Sequence, residues 1–277
     1  MRPDFYEEYA HIELHHWWAI ARRKIILTVL NHYVPRISSQ RVLDLGIGSG
    51  VMLTHLDSFG QIIGCDPERA ALNFVNTRFR EDSNSTREEG TENFPLVQGQ
   101  AQHLPFQNES LDLITSLDVL EHIVDDETVL REIERVLRPG GTACVAVPMY
   151  PWLWGNEDLI SHHVRRYRGG ELEKKIETAG LQIIYRTYFN TLLFPIIAIV
   201  RLFQRWLHPS PDADRVPSDF SLTKPGLLND ALAWLFSQEA RWIRHFNLPF
   251  GVSLLCVARK PWTNSELRVT NGELRKR

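Results

Sequence analysis

The chain has 277 residues, of which 43% are hydrophobic and 23% charged, with a formal net charge of −3. That is room for one large α/β domain with an elaboration, or for two small domains, and the composition is ordinary for a soluble globular protein. The charge balance argues against a nucleic-acid binder held by a broad basic field.

Asp4, Glu7, Glu8 and Glu13 come before any apolar run, which does not fit a secretory signal. Residues 1–40 read as helical. His11-Ile12-Glu13-Leu14-His15-His16-Trp17-Trp18 is dense in aromatics and imidazoles, and the amphipathic pattern continues from Ala19 to Leu30 with Arg22, Arg23 and Lys24. Pro35 and Ser38-Ser39 close the helix. Trp17 and Trp18 admit two readings: packing of this helix on the sheet, or a lid over a ligand site.

Arg41 to Leu45 is short, β-branched and apolar, and predicts a buried parallel strand. It runs into Gly46, Gly48 and Gly50, and then into the helical spacing of Val51 to Leu56. A strand, a Gly-rich turn and a helix start let a ligand approach the backbone and offer free N–H groups to it. The spacing G-x-G-x-G lacks the third-glycine position of the dinucleotide fingerprint, and an acid, Asp44, sits inside the strand. A second strand, Gln61 to Cys65, ends in Asp66, about 20 residues past the turn, where an acid can bind a ribose diol.

D-L-G-I-G-S-G followed by G-C-D-P resembles the first two motifs of class I S-adenosylmethionine-dependent methyltransferases. The following segments fall in that family's order. Pro67 to Val75 predicts the second helix, 81–93 a polar loop, and Phe94 to Gln98 the third strand. Gly99-Gln100-Ala101-Gln102-His103-Leu104-Pro105-Phe106 resembles the family's G-D-A-x-x-L-P-F segment. Gln100 stands where the family has the acid that binds the adenine amino group, and its carbonyl can accept the same bond. Leu111 to Ser116 is strand four. Asp118-Val119-Leu120-Glu121-His122, the helix from Asp125 to Leu137, and Arg138-Pro139-Gly140-Gly141 before strand five (Thr142 to Val147) resemble the family's D-V-L-E-H … L-R-P-G-G block closely.

Beyond Pro148 lies an aromatic loop, Tyr150-Pro151-Trp152-Leu153-Trp154-Gly155, then Ser161-His162-His163-Val164-Arg165-Arg166-Tyr167. A helix from Glu171 to Ala179, strand six (Leu181 to Phe189) and a last, antiparallel strand (Gly251 to Ala258) complete the pattern. This aromatic loop, H-H-V-R-R-Y and Y-F-N-T-L-L-F-P look like a type 11/12 methyltransferase subgroup. The sixty residues between the last two strands hold an apolar run from Leu192 to Val200, with Arg201, Gln204, Arg205 and His208 marking a polar face. A loop with Pro209, Pro211, Pro217 and Pro225 follows, then a second amphipathic helix from Leu227 to Phe246. The apolar run is too short to span a bilayer. It reads either as a packed hairpin or as a cap that collects an acceptor, with a peripheral membrane contact through 190–208.

The expected fold is therefore α/β: a Rossmann-like seven-stranded sheet with an antiparallel last strand, an N-terminal helical lid and a helical insertion before the last strand. Its segments are a helical cap over 1–40, a core over 41–189, a substrate cap over 190–250, a core strand over 251–260 and a polar tail over 261–277. Cys65, Cys144 and Cys256 each fall in a predicted strand, suiting neither a zinc site nor a disulfide framework, so a cytoplasmic protein with buried reduced thiols is expected, with or without membrane association.

The resemblance implies S-adenosylmethionine (SAM) as cofactor, held by Asp44, Gly46, Gly48, Gly50, Asp66, Pro67, Gln100, Ala101, Asp118 and Val119. Trp18 then belongs to a lid whose aromatic face favours a sulfonium. If a helix starts at Leu117, Asp118, Glu121 and His122 share one face. One reading has Asp118 on the methionine end of SAM and leaves Glu121 and His122 as helix or loop caps. The other, implied by ubiquinone O-methyltransferases and small-RNA 3′-end methyltransferases, has Asp118, Glu121, His122 and a later His bind a divalent metal. His163 is the best-placed later His, with His162 as competitor. Glu121, His122 and His163 are thus candidate catalytic groups, as bases or ligands, with the metal undetermined. The expected function is O-methylation of a small or lipid-like acceptor, and the alternative is a non-catalytic SAM-binding scaffold in a biosynthetic complex.

Overall fold

The computed structural model describes residues 4–85, 94–207, 218, 220 and 225–262. Seven strands form one sheet in the order β3-β2-β1-β4-β5-β7-β6. They are β1 (Arg41–Leu45), β2 (Gln61–Asp66), β3 (Leu96–Gln98), β4 (Leu111–Leu117), β5 (Leu137–Pro148), β6 (Gln182–Phe189) and β7 (Ser253–Arg259). Pairings from β3 across to β5 are parallel, while β7 runs antiparallel to both β5 and β6. The sheet thus carries the expected antiparallel last strand.

Successive residues of a strand face opposite sides, so each strand supplies both of two hydrophobic layers. Val42, Leu113, Cys144, Leu255 and Val257 face one layer with Ile25, Ile26, Val29 and Leu30 of α2 (Trp17–Tyr33). Leu43, Leu45, Ile114, Val145 and Cys256 face the other, with Leu130 and Ile133 of α5 (Asp126–Val136) and Leu172 and Ile176 of α7 (Glu171–Thr178). All three cysteines are buried and free.

The N-terminal stretch is two helices, α1 (Asp4–His15) and α2, broken at His16, whose ring accepts from the Trp18 N–H. Between β1 and β2 lies only α3 (Leu53–Leu56) and a 3-10 turn. The helix after β2, α4 (Arg69–Ser85), starts later than Pro67 and continues into the stretch expected to be loop. Ala71 and Val75 give it a buried face, and Phe79 meets Phe94 edge-on. The expected polar loop from 86 on, most of the proline-marked loop and the tail from 263 lie outside the described residues. After β5 come α6 (Asn156–Ile160) and α7, and the chain between β6 and β7 forms α8 (Phe194–Leu207), α9 (Leu227–Ser237) and α10 (Glu239–Ile243). The single helix expected from Leu227 to Phe246 is divided at Gln238.

Glu239 fixes the corner where β6 leaves the sheet for α8. Its wholly buried carboxylate accepts from the Asn190 N–H (2.7 Å) and the Leu192 N–H (2.8 Å), with Asn190 left-handed at φ 60°. Burial pushes this carboxyl up to about 7 against those bonds. A group that holds its proton more tightly folded than unfolded stabilises fully below its unfolded value, and that contribution is lost as pH rises through about 7. Glu239→Gln should therefore flatten the fall in melting temperature between about pH 5 and about pH 8; thermal melts across that range check it, and an unchanged slope would exclude Glu239 as the source.

Candidate functional site

The strand order reverses direction between β1 and β4, and a crevice opens there at their C-terminal ends, where open α/β sheets bind ligands. From β1 come Gly46, Gly48 and Gly50, all at positive φ (77°, 51° and 75°). A side chain at Gly46 would also collide with Val119, whose Cγ2 lies 2.5 Å from the Cβ position. Val119 thus packs directly on the first glycine of the turn. From β2, Asp66 closes the loop, its carboxylate accepting from the Gly48 N–H (3.2 Å) and the Glu68 N–H (2.8 Å). Asp44 lies beneath, accepting from the Thr115 hydroxyl at 2.6 Å, and burial pushes it up to about 7. Pro67 and Gln100 are exposed at the rim, and Ala101 is buried.

No helix starts at Leu117: β4 runs through that residue. Asp118 is left-handed at φ 59°, and Leu120–His122 form a 3-10 turn. The one-face arrangement of Asp118, Glu121 and His122 is therefore not formed. The positive φ, costing on the order of 1–3 kcal/mol in a residue with a side chain, sends Asp118 toward the N-terminal helices, where it pairs with Arg22 at 2.7 Å. Glu121 and His122 go elsewhere.

Arg22 is buried, and its guanidinium lies over the Trp18 ring at 5.2 Å. Trp17 meets Phe236 of α9 edge-on, and both tryptophans pack against the core layer of α2. The closer cover is α1. Glu13 accepts from the Ser49 hydroxyl inside the glycine turn, and the Tyr9 ring stands 3.5 Å from where a Gly48 side chain would begin. Burial pushes the Glu13 carboxyl and the Tyr9 hydroxyl up. Tyr9, Glu13, Arg22 and Ser49 were absent from the sequence-based site. Arg22 had a visible signal, a cation four residues after a tryptophan on one helical face; the other three did not. The crevice gathers Glu13, Asp44, Asp66 and Asp118 around Arg22, while Arg23 donates to the Glu13 carbonyl and Arg78 to the Ser49 carbonyl of the glycine turn.

A second cluster lies past the β4 turn. One ligand-capable atom each from Glu121, His122 and His163 lie within 4.8 Å of one another. Glu121 is wholly buried and both its carboxylate oxygens lack a hydrogen-bond partner, which pushes its carboxyl well above the usual range through burial and then the neighbouring Asp118. The His122 and His163 rings meet edge-on at 4.7 Å. His163 Nδ1 is held 2.9 Å from Asp158, which also receives Arg166 at 2.7 Å. That bond leaves His163 Nε2 for the cluster. His162 is exposed, left-handed at φ 55° and outside it. The Val164 N–H donates to the Glu121 carbonyl and the Tyr150 N–H to the Tyr167 carbonyl. The 163–167 segment thereby ties the cluster to an aromatic group at the end of β5: Tyr150 stacks on Tyr188 at 6.2 Å, and Phe194 touches Tyr150, Trp152 and Phe250.

Residues 43–145 match the family described as methyltransferase domain. A protein of Mycolicibacterium smegmatis described as a probable S-adenosylmethionine-dependent methyltransferase is 28% identical over 175 residues, 62% of this chain and 61% of that one. The ubiquinone/menaquinone biosynthesis C-methyltransferase UbiE of Legionella pneumophila is 31% identical over 158 residues, 54% of this chain and 58% of its own. Residues 43–145 thus form a methyltransferase domain, and the relatives that match it are described as methyltransferases, one of them S-adenosylmethionine-dependent. The chain spans about three-fifths of the length of these relatives. Among solved structures, the complex of the Haloferax volcanii Trm112 methyltransferase activator with its methyltransferase matches at a TM-score of 0.59 and 21% identity, over 94% of this chain and 96% of that one. That likeness is one of fold.

The matching relative of Mycolicibacterium smegmatis is described as SAM-dependent, and the crevice here fits SAM. SAM brings an ammonium, a carboxylate and a sulfonium, a net cation, to a site where acids outnumber cations. The glycine turn admits its backbone-proximal part, Asp66 can accept from the ribose, and Arg22 can pair with the carboxylate. Asp66→Ala should weaken SAM binding by about 1.5–3 kcal/mol, the scale of a hydrogen bond to a charged group. Calorimetry checks this, and equal affinity would remove Asp66 from the ribose.

Proposed function

We propose that the protein transfers a methyl group from SAM to a hydroxyl oxygen of a small or lipid-like acceptor. The observation that carries the acceptor side is the Glu121, His122 and His163 cluster beside the crevice, with its buried and unpartnered carboxylate. SAM supplies an activated methyl group on a good leaving group, so the chain's own task is alignment, exclusion of water and removal of the hydroxyl proton.

Alignment falls to the glycine turn, Asp66 and the Arg22–Asp118 pair, which hold the cofactor end, and to Tyr150, Trp152, Phe194 and Phe250, which present apolar faces to an acceptor. Proton removal falls to His163. Asp158 fixes its ring orientation through Nδ1, leaving Nε2 to accept. The same donor set suits a divalent cation: one carboxylate, two imidazoles, and a second carboxylate orienting one imidazole from behind. Glu121, His122 and His163 would hold the ion, which would lower the proton affinity of a hydroxyl bound there. Asp118, committed to Arg22, stands outside this set.

His163→Ala should lower turnover about 10²–10⁴-fold, the usual weight of a positioned acid or base, while leaving SAM affinity nearly unchanged. The measurement is release of S-adenosylhomocysteine with a lipid extract as acceptor source, beside calorimetry for SAM. Full turnover in the variant would dismiss His163. Titration of Mg²⁺, Mn²⁺ or Zn²⁺ into the wild type and into Glu121→Gln separates the two roles: binding lost in the variant supports a ligand, and no binding to the wild type leaves His163 as a base. SAM binding without turnover on any acceptor would favour the scaffold reading instead.

A further inference from the structure

Helix α8 is inside out. A surface helix of a globular protein turns its apolar stripe to the core and its charges to water. In α8 the inward positions include Leu193, just before it, then Ile197, Arg201 and Gln204, while Ile196, Ile199, Val200, Leu202, Phe203 and Trp206 are exposed. Ile199 is 68% exposed and Trp206 76%, far beyond the partial exposure normal for single surface apolars. At about 100° per residue these six side chains form one arc of roughly 160° along the helix. Arg201 lies on the opposite side, its guanidinium against the Gly155 backbone and bonded to Gln204. A contiguous apolar face of this kind marks an interaction site.

We infer that this face docks on an anionic lipid bilayer, lying in the plane of its interface. Three observations favour that occupant. The exposed side chains line one arc of a single helix, and they are the large aliphatics, Phe and Trp that interfacial helices bury in the headgroup and acyl boundary. The stretch 190–207 contains no Asp or Glu and two arginines, the acid-free, cationic composition of interfacial helices that bind acidic lipid surfaces, although Arg201 itself is engaged with the protein on the far side. The helix has 14 residues, about 21 Å at 1.5 Å per residue. That is short of a span, and among the described residues no helix is long and apolar enough to cross a membrane.

The placement also bears on the acceptor, and on this point alone it rests on the proposed methyl transfer. Phe194, the first residue of α8, belongs to the aromatic group with Tyr150 and Trp152. A docked α8 therefore sets the mouth of the acceptor site against the lipid surface, and the acceptor class it serves is a membrane-dissolved molecule whose hydroxyl lies at headgroup depth.

The test is flotation of the full chain with vesicles of phosphatidylcholine alone and of equal parts phosphatidylcholine and phosphatidylglycerol. The wild type should float with the anionic vesicles, and Ile199→Glu/Phe203→Glu should lower the floated fraction at least tenfold with unchanged melting temperature and SAM affinity. Should the double variant melt early, Ile199→Asn and Phe203→Asn, which add no charge, carry the same test. A wild type that does not float, or a variant that floats equally well, overturns the inference. So does a wild-type dimer that the variant converts to monomer without vesicle binding, because the face then belongs to a second copy. Loss of SAM binding by the wild type would refute the methyl-transfer reading and leave the docking result standing.

Discussion

The Arg22–Asp118 ion pair is the constraint on which the site depends. Arg22 comes from a helix before the sheet, and Asp118 from the turn after its central strand; their 2.7 Å contact closes the N-terminal helices over the glycine turn. Asp118 reaches Arg22 from a left-handed backbone, and Val119 next to it fills the space above Gly46 that any other residue there would occupy. Breaking such a pair by removing one member leaves an uncompensated charge, typically at about 3–5 kcal/mol. A binding ligand with its own carboxylate and ammonium would instead find both halves of the pair already desolvated and aimed. The strain at Asp118 and the burial of Arg22 are thus preparation of the site, carried by the folding energy of the two layers around it.

The same pair explains which parts of the site could be read from sequence. β1 was legible to the residue because burial on both faces leaves a bare apolar run, and the glycines at alternate positions stood where positive φ was needed. Asp66 followed from its position at the end of β2. The D-V-L-E-H stretch was misjudged in conformation, although its importance was plain: helical spacing places Asp118, Glu121 and His122 together, and a single left-handed residue sends them to two different clusters. The partner that Asp118 meets from that φ, Arg22, lies about a hundred residues earlier, beyond the reach of local spacing. Glu13 and Tyr9 were invisible for the same reason, since their partners lie in the glycine turn. His163 was found by its type, and the bond that gives it a defined orientation comes from Asp158, five residues away in a helix too short to be noticed.

Charge divides the two clusters by chemistry. Around the glycine turn four acids meet Arg22, with Arg23 and Arg78 at the edge, and burial pushes Asp44 up to about 7. Past the β4 turn, Glu121 is one buried acid without a bond, facing two imidazoles, of which one is held by a second acid. Unpartnered buried carboxylate oxygens are uncommon in folded chains because each forfeits its hydration without return. Under the proposed function the first cluster binds a charge and the second moves a proton or holds an ion, and the sheet places them on either side of one short turn.

The insertion meets the N-terminal helices. β6 and β7 are antiparallel neighbours that a short turn could connect, yet the chain places α8, α9 and α10 between them. Asn229 of α9 reaches the break between α1 and α2, accepting from the Trp17 N–H at 2.8 Å and donating to the His15 carbonyl at 2.9 Å. It thereby satisfies backbone groups that a helix end and a helix start leave without partners. Phe236 packs on Trp17 in the same region, and Glu239 holds the start of the path to α8. Among the described residues, the Glu239 corner links the start of the path to α8 with the α9–α10 stretch, and Asn229 of α9 links that stretch to the helices that carry Glu13 and Arg22. The insertion and the N-terminal helices over the glycine turn are consequently joined by packing and hydrogen bonds, α9 lying along α2.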